Sequence, residues 1–67
     1  PLMTYRHKKT GHVYSLIMIC TRESDLTPVA IYSDVNTGMI WERPASEFFD
    51  GRYEVVVPAQ PAVERLH

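Results

Sequence analysis

Apolar and polar positions alternate along this chain in short bursts, with glycine or proline punctuating the gaps between them. A period of two marks strands, because successive side chains of an extended backbone point to opposite sides. Strands are expected at 3–8 (MTYRHK), 13–21 (VYSLIMICT), 28–34 (PVAIYSD), 39–43 (MIWER) and 52–57 (RYEVVV). Gly11 and Gly38 sit in KTGH and VNTG, where a tight turn between antiparallel strands needs a positive φ, and the polar RESDLT reads as a third connection. Pro28 suits only a strand start or an edge. The segment 44–51 (PASEFFDG) reads as a single helical turn, begun by Pro44 and ended by Gly51.

The fold expected from this pattern is all-β: a small five-stranded SH3-like bent barrel with one short helical turn before the last strand. One domain is expected over 3–57. Pro58 and Pro61 argue against further pairing, so 58–67 is expected to be a flexible C-terminal tail, and Pro1 and Leu2, which precede Met3, a remnant of tag removal. The second strand is apolar on both alternating faces, with Tyr14, Leu16, Met18 and Cys20 on one and Val13, Ile17 and Ile19 on the other. Either the strand bends across a barrel, or a second copy covers the outer face; a homodimer is therefore the alternative to a closed monomer.

Sixty-seven residues form one small domain with a thin margin of stability. A formal charge of −1 argues against sequence-independent nucleic-acid binding, which needs a dense cationic face, although Arg6, Lys8 and Lys9, with His7 among them, cluster near the start. The single cysteine, Cys20, makes no internal disulfide and reads as a small buried hydrophobe, which points to a reducing cytoplasm. No apolar run approaches the roughly 18 residues of a membrane helix, so no membrane partner is expected.

Catalytic and metal chemistry find no constellation. His7, His12 and Cys20 lack the four-ligand spacing of a zinc site, no motif positions Ser15, Ser33 or Ser46 as a nucleophile, and no glycine-rich phosphate loop is present. Asp34 and Glu42, facing each other across the third and fourth strands, would be the acid/base pair, but such residues are more often solvated charges on a polar face. The chain is expected not to be an enzyme, with no metal and no cofactor.

Binding is the remaining chemistry. Trp41, Tyr5 and Tyr32 beside Arg43 would suit stacking on a flat group, or else they are core. Met39, Trp41 and Arg43 share one face of their strand, and a face with both tryptophan and arginine is not wholly buried. A half-buried Trp41 is expected, with Arg43 near the rim and paired to Glu47 or Asp50, and with Ile40 in the core.

The run YRHKKTGHVYSL, together with PVAIYSD, IWERP and EFFDGRYE, resembles the bacterial and phage domain-of-unknown-function family 1653. The resemblance runs from Tyr5 to about Val55 and is sharpest at Trp41, Arg43 and Pro44. It implies an SH3-like barrel and no established activity. Where that family has a His-Ser-Glu-Thr-like segment after the second strand, this chain has RESD at 22–25, which puts any recognition by that loop in doubt. The function expected is a non-catalytic module for a protein partner, such as a phage or bacterial modulator of a host factor. The alternative is a nucleic-acid or nucleotide binder using Arg6, Lys8 and Lys9 with stacking aromatics.

Overall fold

A computed structural model describes residues 3–57; the expected remnant at 1–2 and the expected tail at 58–67 lie outside the described residues. The strands are β1 (Met3–His7), β2 (Val13–Thr21), β3 (Pro28–Asp34), β4 (Ile40–Pro44) and β5 (Tyr53–Val55), with the helical turn α1 (Ala45–Phe48) between the last two. They form one antiparallel five-stranded sheet in the order β4-β3-β2-β1-β5. The predicted strands, their order along the chain and the helical turn are all present. Ladder pairing does not close the barrel, however, and β4 and β5 are both edges.

The sheet is nevertheless strongly bent. In a flat sheet β4 and β5 would lie roughly 19 Å apart, four steps of about 4.8 Å. Yet the Arg43 guanidinium on β4 is 6.0 Å from the Tyr53 ring on β5. The concave side thus wraps around a core of Ala30, Tyr32, Phe48 and Tyr53, against which Tyr5, Tyr14 and Leu16 pack. Phe48 lies at its centre, 1% exposed. Its ring stacks on Tyr53 with centroids 4.4 Å apart and meets Tyr32 at 5.0 Å and Tyr5 at 5.1 Å. Pro44 places it there: as the last residue of β4 and the N-cap of α1, it turns the chain across the mouth of the sheet.

Three hairpins share one backbone plan. In each, the first residue's carbonyl accepts a hydrogen bond from an amide four residues on: Gly11 to His7, Leu26 to Arg22, and Gly38 to Asp34, at 2.7–2.8 Å. The amides of His7, Arg22 and Asp34 return bonds to the carbonyls of His12, Thr27 and Met39. Side chains repeat as well. His7 Nδ1 accepts from the Lys9 and Thr10 amides, just as Asp34 Oδ1 accepts from Asn36 and Thr37. Thr10 Oγ1, Asp25 Oδ1 and Thr37 Oγ1 each accept from the amide two residues later. The plan requires a positive φ at its fifth position, supplied by Gly11 (80°) and Gly38 (76°) but by Leu26 (61°) in the middle hairpin.

Strand β2 departs from simple alternation. Its pairing with β3 shifts between Leu16 and Met18, where Ile17 forms a bulge. One extra residue exchanges the faces of everything after it. Tyr14 and Leu16 lie on the concave side with Ile19, opposite Ala30, whereas Met18 and Cys20 are on the convex side with Ile31 and Val29. The two-face division expected for β2 fails beyond Leu16 for this reason. Cys20, expected to be buried, is exposed.

Leu26 in a left-handed conformation carries a steric cost that glycine avoids. It is also 74% exposed, so its side chain returns little by burial. Leu26→Gly should therefore stabilise the fold by about 1 kcal/mol, read as a higher urea midpoint at unchanged slope; an unchanged or lower midpoint would contradict the shared hairpin plan. Burial, followed by the Tyr32 hydroxyl 3.4 Å away, pushes the Tyr53 phenol above its ordinary range. The unfolded chain then loses this proton near the ordinary tyrosine value of about 10 while the folded chain keeps it. Stability due to Tyr53 is present below about pH 10 and lost as pH rises above it. Urea midpoints at pH 8 and pH 11 should fall less in Tyr53→Phe than in the unsubstituted chain.

Candidate binding surface

Register sorts the aromatic and basic residues onto the two sides of the sheet, because directly paired residues share a face. Met3 on β1 pairs with Leu16, Leu16 with Tyr32, and Tyr32 with Trp41. These residues form a transverse row across four strands on the concave side. The next row holds Ile19, Ala30 and Arg43. Within the row the middle is covered and the ends are open: Tyr32 is 5% exposed, while Met3 is 50% and Trp41 47% exposed. Ile19, Phe49 and Val55 add further exposed apolar surface, with Phe49 edge-on to Tyr5 at 6.2 Å.

Trp41 is thus half-exposed at the concave mouth, as expected. Tyr32 is not part of an open platform, because α1 brings Phe48 over it and β5 brings Tyr53 against it. Tyr5 is partly covered by the same helical turn. Ile40 is not core. It lies on the convex side of an edge strand, opposite Ser33, and is 63% exposed, whereas Val29 on the same side, opposite Pro44, is buried.

Arg43 sits between solvent and core. Its Nη1 lies 3.4 Å from Glu47, four residues on, and its guanidinium faces the Tyr53 ring. The partner expected for it is therefore Glu47, while Asp50 pairs instead with Arg52, whose Nε donates at 2.9 Å. With its charge turned inward, Arg43 acts as a clamp between β4, α1 and β5. Asp34 and Glu42 do not oppose each other: Glu42 pairs with Ile31 in the ladder and its carboxylate with Arg22 at 3.3 Å, while Asp34 caps its turn.

The basic cluster is split. Arg6 is on the convex side and forms an ion pair with Glu54, its ladder partner, through a 2.9 Å bond from Nε. Lys8 and Lys9 lie in the first turn, where with His7 and Arg52 they line a shallow hollow of about 350 Å³. Arg52 joins them because its carbonyl accepts the Lys8 amide at 3.0 Å. Sequence order could not show this, since β5 pairs with β1 rather than with its predecessor. The apolar members Met3, Ile19 and Val55 were equally hidden, and Ile19 reaches this face only through the bulge at Ile17. Of the adjacent Phe48 and Phe49, only one of which can point into the core from a helical turn, Phe48 is the core residue and Phe49 the exposed one.

No protein-family model, curated protein or solved structure matches the chain. No helix of the described residues is long and apolar enough to cross a membrane.

Because its ring is half-exposed, Trp41→Ala should cost about 1 kcal/mol, against about 3–5 kcal/mol for a fully buried tryptophan. Thermal melts of the two chains should differ by a few degrees. Outright unfolding would show that Trp41 belongs to the core.

Proposed function

We propose that this chain is a small non-catalytic binding module that takes an apolar segment of another protein at the open mouth of its barrel. The observation that carries the reading is the row Met3–Leu16–Tyr32–Trp41, whose covered centre and exposed ends form an apolar floor held rigid by the aromatic core. Trp41 supplies the largest contact, because a half-covered indole keeps its orientation and still offers area and an N–H donor. Met3 supplies an adaptable apolar contact and Ile19 a stiffer one. Arg43 acts through positioning, since Glu47 and Tyr53 occupy its charge. The reading assigns no reaction and no cofactor. It places the chain in the cytoplasm, on the strength of its lone unpaired cysteine. The resemblance to family 1653 belongs to the same reading: a barrel whose bacterial or phage relatives would act by contact, such as on a host factor.

The second reading is a nucleic-acid or nucleotide binder, favoured by the hollow of His7, Lys8, Lys9 and Arg52. Charge compensation makes it the weaker one. Arg52 is held by Asp50 and Glu47, and Arg6 by Glu54. Among the described residues that leaves Lys8 and Lys9 as the cations without an ion pair, too few for a strong phosphate-tracking surface.

Immobilised chain exposed to bacterial lysate with nuclease should retain a defined protein at both low and high salt, and Trp41→Ala should release it while keeping its fold. Loss of all retained material with nuclease or salt, together with loss in the double substitution Lys8→Glu and Lys9→Glu, would instead establish the second reading.

A further inference from the structure

The convex face and the concave mouth are side-chain surfaces, but β4 also presents unpaired backbone. The Asp34 amide donates to the Met39 carbonyl at 2.9 Å, which fixes the phase of the β3–β4 ladder. In an antiparallel pair, hydrogen-bonded and non-hydrogen-bonded positions alternate. Tyr32–Trp41 and Ala30–Arg43 therefore exchange bonds, and the N–H and C=O groups of Ile40 and Glu42 point away from the sheet. Pro44, which has no N–H, falls on the same outward phase and so costs the ladder nothing. Ile40, Trp41 and Glu42 are all exposed.

Natural edge strands are protected by lysine, by proline, by inward-pointing charges, by bulges or by covering segments. Pro44 and the inward Arg43 guard one end of this edge, but among the described residues no lysine, bulge or covering segment protects Ile40 to Glu42. Here the exposed positions read Met-Ile-Trp, and the one acidic side chain, Glu42, is already paired with Arg22 of the same chain. Arg43 is likewise paired, with Glu47. Among the described residues the edge is consequently apolar in side chains, compensated in charge and unpaired in backbone.

We infer that a second copy of this chain adds to the β4 edge, antiparallel about a two-fold axis through Trp41, so that two sheets become one. The two-fold is what selects a second copy. Centred on Trp41, it sets Ile40 of each strand opposite Glu42 of the other, so every outward N–H and C=O at these positions finds its complement. The tryptophans then occupy the close, non-hydrogen-bonded position, where aromatic pairs contribute most to strand pairing. A two-fold centred on Glu42 would instead place two carboxylates directly opposite each other, which is destabilising. Pairing about Trp41 also sets the two concave mouths side by side on one continuous sheet. The association uses backbone groups and so stands independently of whether the mouth binds another protein.

Sedimentation equilibrium of the full chain from micromolar to millimolar concentration tests this. A monomer–dimer equilibrium is expected. Glu42→Pro removes an outward N–H without touching the β3 ladder and should weaken the dimer at least tenfold while leaving the monomer's circular dichroism unchanged; Ile40→Pro is the second variant should the first fail to fold. Geometry is read separately. In a Cys20→Ser background, Trp41→Cys should form an inter-chain disulfide under mild oxidation, since paired non-hydrogen-bonded positions lie about 4.5 Å apart at Cα. Met39→Cys should not, because the two-fold sets its counterparts about 14 Å apart. A chain that stays monomeric throughout, a dimer indifferent to both proline variants, or cross-linking at Met39 in preference to Trp41 would overturn the inference. A dimer that captures no lysate protein supports it and counts only against the binding reading.

Discussion

The stack of Phe48 on Tyr53 holds this molecule in its shape. No ladder joins β4 to β5, so the bend of the sheet is maintained by side chains that reach across the opening, and Phe48 touches both flanks at once. Everything else depends on it: the depth of the concave side, the burial of Tyr32, and the approach of Arg43 to Tyr53. Aromatic rings suit the task because each covers much area at small entropic cost and tolerates edge-on contact from several directions. A chain of this length has few residues to spend on a core, and this one concentrates them in five rings.

A core of hydroxyl-bearing rings has a chemical consequence. The Tyr53 and Tyr32 hydroxyls meet each other within the core, and the Arg43 guanidinium approaches the same place from the rim. The core is therefore not uniformly apolar: it holds a pair of hydroxyls, one of them on Tyr32, the ladder partner of the half-exposed Trp41.

Much of this was legible in the sequence. The period-two bursts located all the strands and the glycines of KTGH and VNTG located two hairpins, while Arg43 was left between Glu47 and Asp50, of which Glu47 is the partner because one helical turn brings residues four apart together. Three things were not legible. The bulge at Ile17 leaves no mark in a run that is apolar at every position, so the faces of Met18, Ile19 and Cys20 could not be assigned. The middle hairpin has no glycine, and only its backbone bonds show that Leu26 fills the glycine position. The pairing of β5 with β1 is a tertiary fact, and with it came the displacement of Arg6 from the basic cluster and the arrival of Arg52.

That pairing also divides the sheet into local and distant contacts. β1 to β4 are joined by successive hairpins, each pinned by its own turn, and such units close in roughly 1–10 μs. β5 returns to β1 across 48 residues, the separation between Arg6 and Glu54. Closing so long a loop is entropically opposed more than closing any of the hairpins. The same pairing sets Tyr53 beside Phe48, so the most distant contact in the sequence is also the one that completes the cover over Tyr5, Tyr14 and Tyr32.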